Sequence, residues 1–128
     1  MSNQKNVAKQ IYPYYPSAEI TKIGFPTKDG LKLLYTHEIV FLEGKINYTC
    51  IYSIDSKILV SKTLLVISKC LPPTFVRIHK SFIVNINLCN HINFKERQIE
   101  VINGQLIPIS TRLKKNIQNI IANQTSFD

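Results

Sequence analysis

The side chains best equipped for chemistry gather in one stretch, TFVRIHKSFIVNIN, residues 74–87, which holds Arg77, His79, Lys80 and Ser81. A second group follows near the C-terminus, where Ser110, Arg112, Lys114 and Lys115 lie within six residues. His79 and Ser81 are two apart and could face the same way, as a base and a nucleophile must. No acidic residue lies near them in sequence to orient the histidine, and no G-x-S-x-G turn is present. The four glycines form no phosphate-cradling loop, and HExxH is absent. Catalysis is therefore not expected, and His79 reads as a histidine at a strand end. Cys89 and His91 form a C-x-H pair, half the ligands of a tetrahedral metal site. Cys50, Cys70 and Cys89 are an odd number without a CxxC pair, which argues against disulfides and structural zinc. No metal or cofactor is expected. Cationic and polar side chains at chain reversals suit a different chemistry, the recognition of an anion.

The elements that must position these groups are mostly strands. Phe75 to Lys80 reads as a strand with Arg77 and His79 on one face and Val76 and Ile78 on the other. Lys80 then falls at its end, before Phe82-Ile83-Val84 returns to the core. Upstream, Lys22–Thr27 and Leu31–Tyr35 predict a hairpin about Asp29-Gly30. Ile39–Glu43 is a short buried strand broken by Gly44-Lys45. Asn47–Ile54 and Lys57–Ser61 predict a second hairpin about Asp55-Ser56, with Tyr48, Cys50 and Tyr52 on one face. In 61–71 the period changes: Leu64, Ile67 and Leu71 mark a helix capped by Ser61 and ended by Pro72-Pro73. His91–Phe94 and Gln98–Ile102 pair around Lys95-Glu96-Arg97, and Asn103-Gly104 returns Gln105–Ile109 beside them. Ser110 caps a last helix with Leu113, Ile117, Ile120 and Ile121 on one face. Cations in its first turn oppose the helix dipole, a cost that a neighbouring phosphate would remove. The fold class expected is mostly β (α+β), with small antiparallel sheets and two short helices.

The chain has 128 residues, enough for one domain with its own core. Residues 1–20 are expected as a flexible or loosely docked arm, 21–123 as the folded domain, and 124–128 as a tail. Sixteen Lys and Arg against eight Asp and Glu leave a net charge of +8, which suits a polyanion such as nucleic acid or an anionic membrane surface. Solubility alone is the bland alternative. The charge is uneven. Between Lys45 and Lys80 six cations face a single acid, Asp55, whereas Glu19 to Glu43 holds three cations and four acids. Separated loops bearing Lys, Arg and Asn can meet phosphates and base edges together. No aromatic run on a basic strand marks an RNA-recognition surface, so duplex DNA is favoured. No signal peptide opens the chain, and no apolar run reaches the ~18 residues that span a bilayer. The expected location is the cytoplasm, with free thiols and no membrane partner.

Five ordered motifs carry a family resemblance: FPTKDG, EIVFLEGKINYTCI, SKTLLVISKCLP, FVRIHKSFIVNIN and NGQLIPISTRLKKN. Together they cover about residues 22–122, and the last two are the most specific. The chain resembles the LytTR-type DNA-binding domains of bacterial transcription regulators. The resemblance implies a mostly β domain that reaches successive major grooves with loops instead of a recognition helix. By position it implies contacts from Lys45, Asn47, Tyr48 and Thr49 after the first buried strand. His79, Lys80 and Ser81 at the central tip, and Ser110, Arg112 and Lys114 before the last helix, complete the set. Arg112 is the first choice for base readout, Lys80 the next, and Thr49 the weakest because its side chain is short.

Family members commonly follow a receiver domain phosphorylated by a sensor kinase, and the segment before Glu19 is too short to be one. A stand-alone regulator, or a switch in a separate sensor or regulatory partner protein, would account for that. No heptad seam is present, so a monomer is expected, with a second copy joining on repeated DNA sites. The alternative function is a protein-interaction module whose basic face binds an acidic partner domain; a nuclease stands third.

Overall fold

The computed structural model describes residues 21–124. Its centre is a five-stranded antiparallel sheet built from β3 (Ile39–Gly44), β4 (Thr49–Ser53), β5 (Lys57–Val60), β6 (Phe75–His79) and β7 (Phe82–Asn85), in the order β5-β4-β3-β7-β6. A hairpin of β1 (Lys22–Pro26) and β2 (Leu31–Tyr35) precedes it. A three-stranded sheet of β8 (Cys89–Asn93), β9 (Gln98–Val101) and β10 (Leu106–Pro108) follows. The helices are α1 (Leu64–Ser68) and α2 (Lys114–Gln124). This is the mostly β architecture with small antiparallel sheets and two helices that the sequence pattern implies.

The run Ile39-Val40-Phe41-Leu42 explains the layering. All four side chains are buried, as the middle strand of a sheet covered on both faces requires. Strict alternation would put Ile39 and Phe41 together, but the pairing with β4 slips between those residues. The bulge turns Val40 and Phe41 towards one core and leaves Ile39 and Leu42 in the other. The first core lies beneath the three-stranded sheet and α2, with Val76, Ile78, Ile99, Ile107 and Ile117. The second lies beneath the β1–β2 hairpin and α1, with Phe25, Leu34, Ile51, Leu64 and Ile67.

Two helix starts differ from the sequence expectation. Thr63, not Ser61, caps α1: its hydroxyl accepts the Val66 N–H at 3.3 Å. The helix is also shorter than residues 61–71, ending at Ser68 before the prolines are reached. Ser110 caps a turn instead of opening α2 directly. Its Oγ accepts the Leu113 N–H at 3.0 Å, and the helix begins at Lys114. β4 begins at Thr49, so Tyr48 lies just before it. The expected arm at 1–20 and nearly all of the tail lie outside the described residues.

Asn85 is buried and fully employed. Its amide donates to the carbonyls of Ile39 at 2.9 Å and Thr36 at 3.3 Å, and its Oδ1 accepts the Asn87 N–H at 3.1 Å. Burial pushes the Cys89 thiol up to about 12, and its Sγ donates to the Asn85 carbonyl, which suits a structural thiol. Gly104 takes the left-handed turn position at φ 88° that Asn103-Gly104 announces.

Candidate nucleic-acid interface

Three chain segments far apart in sequence meet at one end of the central sheet. The first is the loop 45–48 between β3 and β4. Lys45 N–H donates to the Tyr48 carbonyl at 2.8 Å, leaving Ile46 and Asn47 at the apex. The second is the tip 80–81 between β6 and β7. The third is the turn 110–113 before α2. Backbone hydrogen bonds join them: Gly44 N–H donates to the Ser81 carbonyl, and Ser110 N–H to the Ile78 carbonyl, each at 2.8 Å. Each such bond adds about 1 kcal/mol, and both fix the loops relative to the sheet instead of leaving them to fray.

Gly44 matters sterically as well. A Cβ there would approach the Leu64 Cβ to 3.0 Å, so glycine lets the start of α1 lie against the end of β3. Between loop 45–48, α1 and the tip lies an open concavity of about 670 Å³. Ile46, Tyr48, Leu64 and Leu65 form its apolar wall, and Arg77 and Lys80 give it charge.

At the tip, the guanidinium of Arg77 is spent on the backbone. Its Nε donates to the His79 carbonyl at 2.8 Å and its Nη2 to the Lys80 carbonyl. It thereby braces the turn that carries Lys80 into solvent. Alternation places Arg77 and His79 on the half-exposed face of β6 and Val76 and Ile78 in the core, as the sequence predicts. The Ser81 N–H donates to His79 Nδ1 at 3.1 Å, which puts the proton of the neutral ring on Nε2. His79 also leans on Phe82, with ring centroids 5.6 Å apart.

Burial, and after it the nearby charge of Arg112, hold the Arg77 guanidinium below its ordinary value. No carboxylate pairs with either arginine among the described residues. Two neighbouring guanidiniums without an acid form an electrostatically unfavourable arrangement that an anion would relieve. The acid that engages a cation here, among the described residues, is Glu43. Its Oε2 holds Lys45 Nζ at 3.0 Å and its Oε1 accepts from the Tyr52 hydroxyl at 3.3 Å. That hydrogen bond and charge raise the pKa of the Lys45 ammonium.

Of the expected contact residues, Lys45, Asn47, Tyr48, Lys80 and Arg112 are exposed, while His79, Ser81, Ser110 and Lys114 are half-buried at the same end. Thr49 is a correction. It is fully buried and its hydroxyl donates to the Lys62 carbonyl at 2.8 Å, so it anchors the loop and presents nothing to a ligand. Sequence reasoning missed three participants: Arg77 as the brace, Glu43 as the partner of Lys45, and Ile46 at the apex. The i, i+2 spacing of Glu43 and Lys45 at a strand end was the available signal for one of them.

Comparison with known proteins agrees with this geometry. The Bacillus anthracis sensory transduction protein LytT is 26% identical over 112 residues, which are 82% of this chain and 44% of that protein. The chain thus spans less than half the length of that relative. A solved Bacillus cereus structure, the LytTr DNA-binding domain of a methyl-accepting/DNA response regulator, superposes with a TM-score of 0.70. It shares 22% identity and covers 81% of this chain and 99% of its own. The family model for the LytTr DNA-binding domain matches residues 29–122, and the chain belongs to that family.

Proposed function

We propose that this chain is a sequence-specific, duplex-DNA-binding transcription regulator that reads major grooves with its three stitched loops. The convergence carries the reading. Lys45, Asn47, Lys80 and Arg112 come from different elements and are presented on one end of a rigid sheet. Arg112 supplies a fork for guanine, held at a turn that is tied to β6 through Ser110. Asn47 offers its amide to adenine, and Lys45, Lys80 and Lys114 face phosphates. Ser110, His79, Ser81 and Tyr48 complete the surface with shorter-range polar contacts. Catalysis has no support in the site, since the His79 Nδ1 lone pair is occupied by a backbone N–H.

Two measurements test the proposal. Selection from a random duplex pool should recover one motif. Titration across a salt series should give a slope of log K against log[salt] near roughly −5, as five or six phosphate contacts imply. An acidic protein partner, the competing occupant of this basic end, lacks the condensed counterions that produce such a slope. A flat response, or no retention at low salt, would reject DNA. On repeated sites a second copy should join stepwise, the free domain sedimenting as a monomer.

A further inference from the structure

The apex of loop 45–48 carries an isoleucine, between Lys45 and Asn47 and beside a concavity that Arg77 and Lys80 also line. Ile46 is 91% exposed, while the other large exposed apolar side chains, such as Leu31 at 64% and Leu65 at 60%, keep more of their surface covered. A single exposed apolar side chain is ordinary on a protein surface. Ile46 differs in where it is held. It stands between Lys45 and Asn47 on a loop whose stem is pinned on every side. Lys45 N–H bonds to the Tyr48 carbonyl, Gly44 N–H to the Ser81 carbonyl, and the Thr49 hydroxyl to the Lys62 carbonyl, all at 2.8 Å. Its β-branched side chain also has few rotamers to choose from. The result is a stiff apolar branch projecting beside the cations and amides of the same loop and tip.

The major-groove edge of a base pair offers one apolar group, the C5 methyl of thymine. We infer that Ile46 is a specificity-determining residue of this interface, seating its side chain against a thymine methyl group in the major groove. This rests on the duplex-DNA reading above. Asn47, beside it, suits adenine, so the two apex residues favour the two halves of A·T pairs. The concavity next to Ile46, walled by Tyr48 and Leu65, extends the apolar surface that a methyl group would meet.

The test uses the duplex recovered by selection, with each thymine replaced in turn by deoxyuridine, which lacks only the methyl. Wild-type protein should lose about fourfold in affinity at one or two positions, the effect expected from one buried methyl group. Ile46→Ala should bind the thymine duplex more weakly by at least that factor and be indifferent to deoxyuridine at the same positions. Its exposure leaves the fold untouched, so the thermal transition should match wild type. A wild type that binds the motif yet ignores every deoxyuridine overturns the assignment and leaves DNA binding standing. An Ile46→Ala protein that keeps the deoxyuridine penalty also overturns it, since the methyl is then met elsewhere. Absence of wild-type binding to any duplex at low salt rejects the DNA reading, and this inference with it.

Discussion

Two charged hairpin turns, Arg77 to Ser81 and Lys95 to Arg97, look alike in sequence but are built differently. Both carry two cations beside short strands. In the first, Arg77 binds the turn's own carbonyls, Gly44 and Ser110 tie it to two other segments, and Arg112 stands close enough to perturb Arg77. In the second, Glu96 sits between the cations, and its N–H is held by Asn93 Oδ1 at 2.8 Å. Arg97 adopts φ 54°, and its carbonyl accepts from Ile109 at 2.9 Å. That bond joins the turn to the residue just before Ser110, but among the described residues neither Lys95 nor Arg97 braces a neighbouring loop with its side chain. On the proposed reading, the first turn differs in being braced by a side chain and tied directly to two other segments, while positive charge alone is common to both.

The largest effect should come from removing the support of the first turn. Ile117 is fully buried in the core that also holds Ile78, and α2 packs against β6 there. Ile117→Asp buries a charge without a partner, at a cost on the order of 4–5 kcal/mol against a total stability of about 5–15 kcal/mol. Loss of the cooperative thermal transition and of all DNA binding is expected. A folded, binding-competent variant would mean that α2 does not hold the Arg112 turn in place.

Next is the contrast between Arg112, on the segment tied to the first turn through Ser110, and Arg97 of the second turn. Arg112→Ala should weaken the cognate duplex by about 1–3 kcal/mol while largely sparing random DNA. Arg97→Gly removes a cation from the second turn and also relieves the positive φ, so its thermal midpoint should rise slightly with DNA affinity unchanged. Competition titrations with cognate and random duplex give both ratios. Equal ratios for the two variants would erase the distinction drawn between the turns.

Much of this was legible in the chain itself, for identifiable reasons. Asp29-Gly30, Asn103-Gly104 and the alternation of Phe75–His79 are local signals, and the strands and turns they announce are present. The motifs FVRIHKSFIVNIN and NGQLIPISTRLKKN pointed to the family for the same reason, being contiguous. What could not be read depends on contacts between distant segments. Thr49 was expected as a contact because the family resemblance placed one at its position, and its hydroxyl is instead buried against the Lys62 carbonyl, 13 residues away in sequence. The bulge in β3 puts Val40 and Phe41 in the same core, which no pattern within IVFL announces. Ser61 and Thr63 are both good caps by type, so the sequence alone did not separate them, and Thr63 is the one that caps α1.

A smaller effect separates the lysines. Lys80→Ala should reduce the magnitude of the salt slope by about 0.9, the signature of one lost phosphate contact, and lower cognate and random binding by similar factors. Lys95→Ala should leave the slope within error. Both side chains are exposed and have no carboxylate partner within 4.0 Å among the described residues, so neither substitution should disturb folding. If Lys95→Ala changed the slope as much as Lys80→Ala, DNA would have to wrap further than the end of the central sheet.

The smallest expected effect concerns acids, and it asks whether the first turn's advantage is absence of negative charge or geometry alone. Glu43 lies at the end of β3 and engages Lys45 at 3.0 Å. Its charge opposes an approaching phosphate and shares the ammonium that would meet it. Glu43→Gln keeps a side chain that can accept from Lys45 and Tyr52 but removes the charge. Lys45 is well exposed, so solvent screens the pair and little stability is lost. Binding to every duplex should tighten, by about two- to fivefold at low salt, and the gain should fade as salt rises. Cognate and random DNA should gain equally, because repulsion between a carboxylate and the phosphates does not depend on base sequence. Glu96→Gln, in the second turn, relieves the same charge but should change neither affinity. A gain confined to the cognate duplex would instead place Glu43 against a base edge. No gain at all would mean that the Glu43–Lys45 pair stays intact on DNA and that Lys45 contacts no phosphate.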